Sequence, residues 1–331
     1  MTVLAKISRR SLIAAPLALS PLACPAYAQA PWPSRPIRII IPFGTGGGTD
    51  ITTRLLAPKM AEILGQPVVL ENRPGAGGVV GTDYVAKQQP NGDVFVLSTL
   101  SPIALARGLP APVPFDARTD LVAVAPTVFV PIALAVTTRN FAPTTAQDFI
   151  ATLKAAPGRY QYGSSGIGTS GHIASASFCV RTGTDAVHVP YRGGGQVFTA
   201  LTAGEIQFCS DIPSLLKGFQ DAGTARVLFV ATDQRSSLLP NVPTAAEAGI
   251  AGYKSHSWYG FFAPRGTPEA IVNRMAAATE QALSDSGINQ RFEDMGTPAM
   301  RGYTPARFAA YVRDEIAFWE PEVRGLGIKA E

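Results

Sequence analysis

Ile37-Arg38-Ile39-Ile40-Ile41-Pro42-Phe43-Gly44-Thr45-Gly46-Gly47-Gly48-Thr49-Asp50 runs from an apolar stretch, through a glycine-rich turn, into an amphipathic segment. Ile37 to Ile41 reads as a buried strand, and Ile51, Leu55, Leu56, Met60, Ile63 and Leu64 fall on one helical stripe. The glycines imply backbone angles that a Cβ would forbid, or close approach of a ligand to the main chain. Thr49 or Asp50 is the expected helix cap, which brings free N–H groups and the positive dipole end to the turn. Pro58 should bend the helix or end it early. An anion is the natural guest of such a turn. Two phosphate readings fail: no lysine follows the last glycine as a P-loop requires, and Thr49 stands where the dinucleotide fingerprint has its third glycine. A carboxylate fits better, and a turn that only packs helix on strand is the bland alternative.

The chain opens with Lys6, Arg9 and Arg10, an apolar stretch from Leu12 to Ala23, and Ala26-Tyr27-Ala28, the pattern of a signal peptide cut after Ala28. Ser8-Arg9-Arg10-Ser11-Leu12-Ile13 resembles a twin-arginine export signal, with Sec export as the alternative. Cys24 invites a lipoprotein reading that Pro21 opposes, and Pro16 and Pro21 oppose a membrane anchor. The expectation is an exported, periplasmic protein.

Of the formal +4 charge, three positive charges leave with the leader, so the mature chain sits near +1 and nucleic-acid binding loses its electrostatic support. Cys179 and Cys209 remain, either as buried thiols or as a pair. With 46% apolar and 16% charged residues, the chain can bury a large core, enough for two lobes.

Short β-rich runs alternate with amphipathic segments. Strands are expected at 68–71, 94–98, 121–124, 128–136, 160–162, 186–189, 206–210, 226–231 and 258–263. Helices are expected at 145–156, 169–181, 196–203, 212–222, 268–286 and 304–326. This is an α/β pattern with buried parallel strands and a helical C-terminal layer.

Further motifs follow in series. They are Asn72-Arg73-Pro74-Gly75-Ala76-Gly77-Gly78, His188-Val189-Pro190-Tyr191-Arg192-Gly193, Leu239-Pro240-Asn241-Val242-Pro243-Thr244, Trp258-Tyr259-Gly260-Phe261-Phe262-Ala263-Pro264 and Gly266-Thr267-Pro268. With Pro42-Phe43 and Gly46-Gly47-Gly48-Thr49-Asp50, they make the chain closely resemble the Bug family, the extracytoplasmic substrate-binding proteins of tripartite tricarboxylate transporters, from about Trp32 to Ile328. The resemblance implies an α/β, two-lobed periplasmic-binding-protein fold of the Venus-flytrap, type II-like kind, with crossing hinge strands. Its lobes would be 29–130 plus 253–331, and 131–252. It implies a monomer that does no chemistry, uses no cofactor, binds a small mono- or dicarboxylate and delivers it to separate membrane subunits.

In the family two loops, one from each lobe, grip a ligand carboxylate. Here they match Phe43, Thr45, Gly46, Gly47, Gly48 and Asp50, and, opposite, Ser164, Ser165, Gly166, Gly168 and Thr169. Ser98, Thr99 and Ser101 follow a strand end of the first lobe and are expected as polar contacts. Asp211 ends a strand of the second, either touching the ligand or capping the helix after it. Phe43 and Tyr191 are candidate covers for an apolar ligand body, or pack in their own lobes, and Arg192 reads as a surface or interlobe charge. Trp258 reads as core or hinge. His172, His188 and His256 lack the spacing of a metal site; His172 can hydrogen-bond the helix near it or, alternatively, touch the ligand. Gly166-Ile167-Gly168-Thr169-Ser170-Gly171 satisfies the bare dinucleotide pattern, but no acidic residue ends the next strand, and Ser164 and Ser165 lack the spacing of a nucleophile elbow. A ligand-presenting sensor for a signalling receptor is the alternative of a different class, and a dinucleotide enzyme a weaker one.

Overall fold

The computed structural model describes residues 32–328 and Thr2. Apart from Thr2, the leader, its cleavage site and Cys24 lie outside the described residues. No helix among the described residues is long and apolar enough to cross a membrane.

Strand β1 (Ile37–Ile41) leads into α1 (Gly48–Leu64), followed by β2 (Val68–Asn72), α2 (Val79–Ala86), β3 (Val94–Thr99), the single turn α3 (Leu100–Ile103) and β4 (Leu121–Pro131). Next come β5 (Ala133–Thr137), α4 (Ala146–Ala155), β6 (Gln161–Ser164), α5 (Ser170–Thr182), β7 (Val187–Pro190), α6 (Gly194–Ala203), β8 (Phe208–Asp211), α7 (Pro213–Asp221) and β9 (Ala225–Val230). The chain closes with β10 (His256–Pro264), α8 (Glu269–Leu283), α9 (Ser286–Asp294) and α10 (Pro305–Gly325).

These strands build two five-stranded sheets, β2-β1-β3-β10-β4 and β7-β6-β8-β5-β9, one in each lobe. The chain passes between the sheets at Ile132 and again between Val230 and His256. Both sheets share one order: second strand, first, third, a strand delivered from the other lobe, fourth. In each, the crevice beside the first and third strands lies where successive connections leave in opposite directions, the place where α/β sheets hold ligands.

The expectation of parallel strands needs correction at the delivered strands. β1 runs parallel to β2 and β3, and β6 parallel to β7 and β8, but β10 is antiparallel to β3 and β4, and β5 to β8 and β9. A strand that arrives from the opposite lobe has no helical crossover to turn it parallel. The expected break between strands at Ala125-Pro126-Thr127 is also absent, because β4 continues through it to Pro131. β4 is an edge strand whose pairing with β10 shifts register between Tyr259 and Gly260, and an edge strand with a bulge tolerates proline. Pro58 does not end α1, which holds Leu56, Met60 and Leu64 in the core on either side of it. The helical pattern expected over 268–286 stops at Leu283. Asp285 then accepts from the Gly287 and Ile288 amides and starts α9, which the sequence reading missed.

Alternation along the central strands feeds two cores per lobe. Ile37 and Ile39 pack with Leu56 and Met60 of α1 and Met275 of α8, whereas Ile40 packs with Val85, Phe308 and Ile316 on the other face. In the second lobe Leu134 and Val136 join Phe149 and Phe178, while Ala133 and Ala135 face Val197 and Leu201. Burial on both faces explains why these strands read as continuous apolar runs. Glu315 fastens α10 to β10, its Oε2 accepting from Trp258 Nε1 (2.9 Å) and Trp319 Nε1 (3.2 Å). Trp258 is accordingly a core residue.

Candidate ligand-binding cleft

The strand ends expected to carry the site meet at one cleft of about 610 Å³ between the sheets. The β1–α1 loop contributes Phe43 to Thr49, the end of β3 gives Thr99 and Ser101, the β6–α5 loop gives Ser165 and Thr169 to Gly171, and the end of β8 gives Asp211 and Ile212. The first turns of α1, α5 and α6 all border it. The opening N–H groups of a helix have no intrahelical acceptor, so both lobes direct bare donors and the positive ends of dipoles into this space.

The β1–α1 loop is held from behind. Helix α1 starts at Gly48 with Gly47 as its cap residue, so neither Thr49 nor Asp50 occupies the cap. Asp50 lies in the first turn, and its Oδ2 accepts from the Gly46 amide (2.9 Å) and Arg54 Nε (2.9 Å). Asn72 Nδ2, at the end of β2, donates to Asp50 Oδ1 (3.0 Å) and to the Phe43 carbonyl (3.0 Å), which gives the Asn72-Arg73-Pro74 motif its part. Burial raises the Asp50 pKa, but Arg54, the Gly46 amide and Asn72 outweigh it and hold the carboxyl below its ordinary range. Asp50 is therefore buried under the loop and does not line the cleft. Among the turn glycines only Gly46 takes a positive φ (79°). Gly48 is small for a different reason, since a Cβ there would meet Tyr259 Oη at 2.6 Å.

The β6–α5 loop is built on histidines. His172 Nδ1 accepts from the Gly168 amide (3.1 Å), and His188 Nε2 lies 2.7 Å from Ser164 Oγ. The two rings stack with centroids 3.9 Å apart, so residues that looked scattered in the sequence meet directly behind the loop. Burial lowers the His172 pKa to about 3, with the neighbouring His188 adding to it, and lowers that of His188 to about 4. Both rings are neutral at ordinary pH. Thr169 Oγ1 donates to the Gly166 carbonyl (2.8 Å), leaving Ser165, exposed in the cleft, as the hydroxyl of this loop open to a ligand.

Of the residues singled out from sequence, the cleft brings together Phe43, Thr45, Gly46, Gly47, Gly48, Ser101, Ser165, Thr169 and Asp211. Ser98 lies elsewhere, buried against Thr82 Oγ1 (2.9 Å). Ser164, Gly166 and Gly168 shape the second loop without lining the cleft, and Tyr191 packs against the core of its own lobe. Asp211 does not cap α7, whose cap residue is Ile212. Arg192, read as a surface or interlobe charge, stands exposed at the cleft wall. The sequence reading missed Ser257 and Tyr259, and the apolar wall of Val130, Ile132, Phe198 and Leu215. The signal for Tyr259 was strand alternation: with Trp258 in the core, Ser257 and Tyr259 share the opposite face of β10.

A family model described as tripartite tricarboxylate transporter family receptor matches residues 52–328. The chain belongs to that family. It is 34% identical to Protein BugT of Bordetella pertussis over 95% of both chains, in keeping with the Bug resemblance of its motifs. MatC from Rhodopseudomonas palustris, solved with bound malate, is 30% identical with a TM-score of 0.83 over 88% of this chain and all of that one. A second R. palustris protein, solved with adipate, is 33% identical with a TM-score of 0.84 over 90% and 99%. These relatives are substrate-binding proteins, not enzymes, and the α/β two-lobed fold is theirs. In this receptor the third glycine of the bare dinucleotide pattern, Gly171, has a packing role: a Cβ there would lie 2.3 Å from the Ser210 carbonyl oxygen of β8. Cys179 and Cys209 are both buried free thiols.

Proposed function

We propose that this chain is the exported, periplasmic receptor of a tripartite tricarboxylate transport system, a monomer that captures a small organic mono- or dicarboxylate and presents it to separate membrane subunits. One observation carries the reading: the helix N-termini of α1 and α5, from opposite lobes, border the same cleft. Charge-assisted hydrogen bonds to such amides contribute about 1.5 to 3 kcal/mol each, so a few suffice for micromolar binding without a buried arginine. Malate and adipate in the cited relatives support a carboxylate guest. We assign the grip to the backbone of Thr45 to Gly48 and of Thr169 to Gly171, with Ser101 and Ser165 as hydroxyl donors and Phe43 as the apolar cover. The lobes, 29–130 plus 253–331 and 131–252, close about the two crossings of the chain. A ligand touching both lobes at once stabilises the closed state, whereas one touching a single lobe shifts nothing. The test is a thermal-shift screen of the chain from Gln29 onward against mono-, di- and tricarboxylates, since a ligand of the folded state alone raises the midpoint. A folded chain whose midpoint moves with no carboxylate, and from which denaturation releases none, would overturn the reading.

A further inference from the structure

Among the residues that line the cleft, Asp211 is the sole carboxylate. Its Oδ1 accepts from the Ile212 amide (2.8 Å). Among the described residues no side chain or amide donates to Oδ2 and no cation pairs with it. Oδ2 faces the first turn of α6, where a Cβ built on Gly194 would lie 4.0 Å away. The residue before it, Ser210, packs against Gly171 in the first turn of α5. Tyr259, whose hydroxyl meets the first turn of α1 at Gly48, borders the same space, and its phenol pKa is raised by burial and then by the charge of Asp211. The Tyr259 hydroxyl likewise has no partner among the described residues.

The carboxylate therefore shares the cleft with the helix N-termini, its Oδ2 beside the first turn of α6. Two like charges in one cleft repel unless a proton or a donor group intervenes. Burial pushes the Asp211 carboxyl up to about 6, which still leaves it mostly ionised at neutral pH. A donor carried by the ligand meets that charge directly, with no need to protonate Asp211 first. The apolar wall of Val130, Ile132, Phe198 and Leu215 offers no competing acceptor for such a group.

We propose that Asp211 selects carboxylic acids that carry a hydrogen-bond donor, a hydroxyl or an ammonium group, close to the gripped carboxylate, with the Tyr259 hydroxyl completing that subsite. This rests on the carboxylate reading of the cleft. A bare alkanoate or an unsubstituted diacid leaves Asp211 unpaired and binds weakly. A 2-hydroxy or 2-amino acid supplies the donor.

The experiment is calorimetric titration of the mature chain with acids matched on one skeleton: succinate, malate and aspartate, then 3-phenylpropanoate, 3-phenyllactate and phenylalanine. On the skeleton that fits, a donor-bearing acid binds at least tenfold tighter than its unsubstituted partner, Asp211→Ala abolishes that difference, and Tyr259→Phe narrows it several-fold. The near-isosteric Asp211→Asn, checked for folding by its thermal midpoint, separates the two donors. A hydroxyl ligand keeps most of its affinity because the amide oxygen still accepts, whereas an ammonium ligand loses tenfold or more with the charge. Equal affinity across a matched set, unaltered by Asp211→Ala, would overturn the proposal and leave the carboxylate reading standing. Absence of binding by every acid to the folded chain would overturn both.

Discussion

Ser101 Oγ of the first lobe lies 3.2 Å from Ser170 Oγ of the second, joining the two lobes by a hydrogen bond at the cleft. Neighbouring contacts follow the same seam. A Cβ on Gly168 would lie 2.6 Å from Leu109 Cδ1, and one on Gly77 would lie 3.0 Å from the Ile167 carbonyl oxygen. The proline-rich segment after α3 and the second glycine turn thus both touch the opposing loop. Removing either hydroxyl should weaken ligand binding by about 1 kcal/mol, roughly fivefold in Kd. A double-mutant cycle of Ser101→Ala and Ser170→Ala, read by titration, should show the two losses to be non-additive. Strict additivity would mean that the hydroxyls act separately on the ligand.

The turn glycines should differ sharply in tolerance. At Gly48 a Cβ collides with the Tyr259 hydroxyl, and at Gly46 it is strained by the positive φ, whereas at Gly47 the nearest atom is the Gly44 carbonyl oxygen at 3.7 Å. Gly46→Ala and Gly48→Ala are expected to lower the thermal midpoint, by about 1 kcal/mol or more in stability, and Gly47→Ala to leave it near the parent value. Unfolding curves of the three variants decide this. A midpoint that falls most for Gly47→Ala would show the turn to be held differently.

His172 Nδ1 accepts from the Gly168 amide and so braces the loop proposed to grip the ligand. His172→Ala should free that amide and loosen the loop, weakening binding by about 1 to 2 kcal/mol in a folded protein. His172→Asn, which can still present an acceptor, should recover part of the loss. Titration of both variants checks this, and equal loss in both would reduce His172 to a packing residue.

Histidine and aspartate pull acid stability in opposite directions. The folded-state pKa values of His172 and His188, about 3 and about 4, lie below the ordinary 6.5. Their contribution is complete above about pH 6.5 and is lost as pH falls toward 4, because the unfolded chain takes up protons first. Asp211, raised from 3.8 to about 6, favours the fold below about pH 4, and that contribution disappears as pH rises through 6. His172→Gln with His188→Gln should flatten the decline of the midpoint between pH 7 and 4.5. Asp211→Asn should raise the midpoint at pH 7.5 more than at pH 4.5. Parallel pH profiles for all variants would show that these groups are not titrating as their burial dictates.

Much of this arrangement is legible in the chain itself. The four isoleucines of β1, the glycine turn and the stripe of α1 announce a buried strand that leads into a helix N-terminus, and Thr145 and Thr304 cap α4 and α10 as side chains of their kind do. What stayed hidden depends on contacts between distant segments. The family resemblance returns residues 253–331 to the first lobe, but nothing local to residues 256–264 tells that β10 runs antiparallel there. Tyr259 consequently went unnoticed beside the more conspicuous Trp258. Asp50 reads as a cap because of its place after the glycines, but Asn72 and Arg54, 22 and 4 residues away, draw it beneath the loop instead. His172 and His188 lie on α5 and β7, and only the pairing of β6 with β7 stacks them.

The grip of backbone amides on a negative charge is tested by titrating the mature chain with malate, adipate and other mono- and dicarboxylates, and with the primary amides of the acids that bind. Helix N-termini that hold an anion predict that at least one acid binds and that its uncharged amide, of nearly the same shape, binds more than a hundredfold more weakly. An amide that binds as tightly as its acid would contradict it, and would make the cleft a pocket for shape alone.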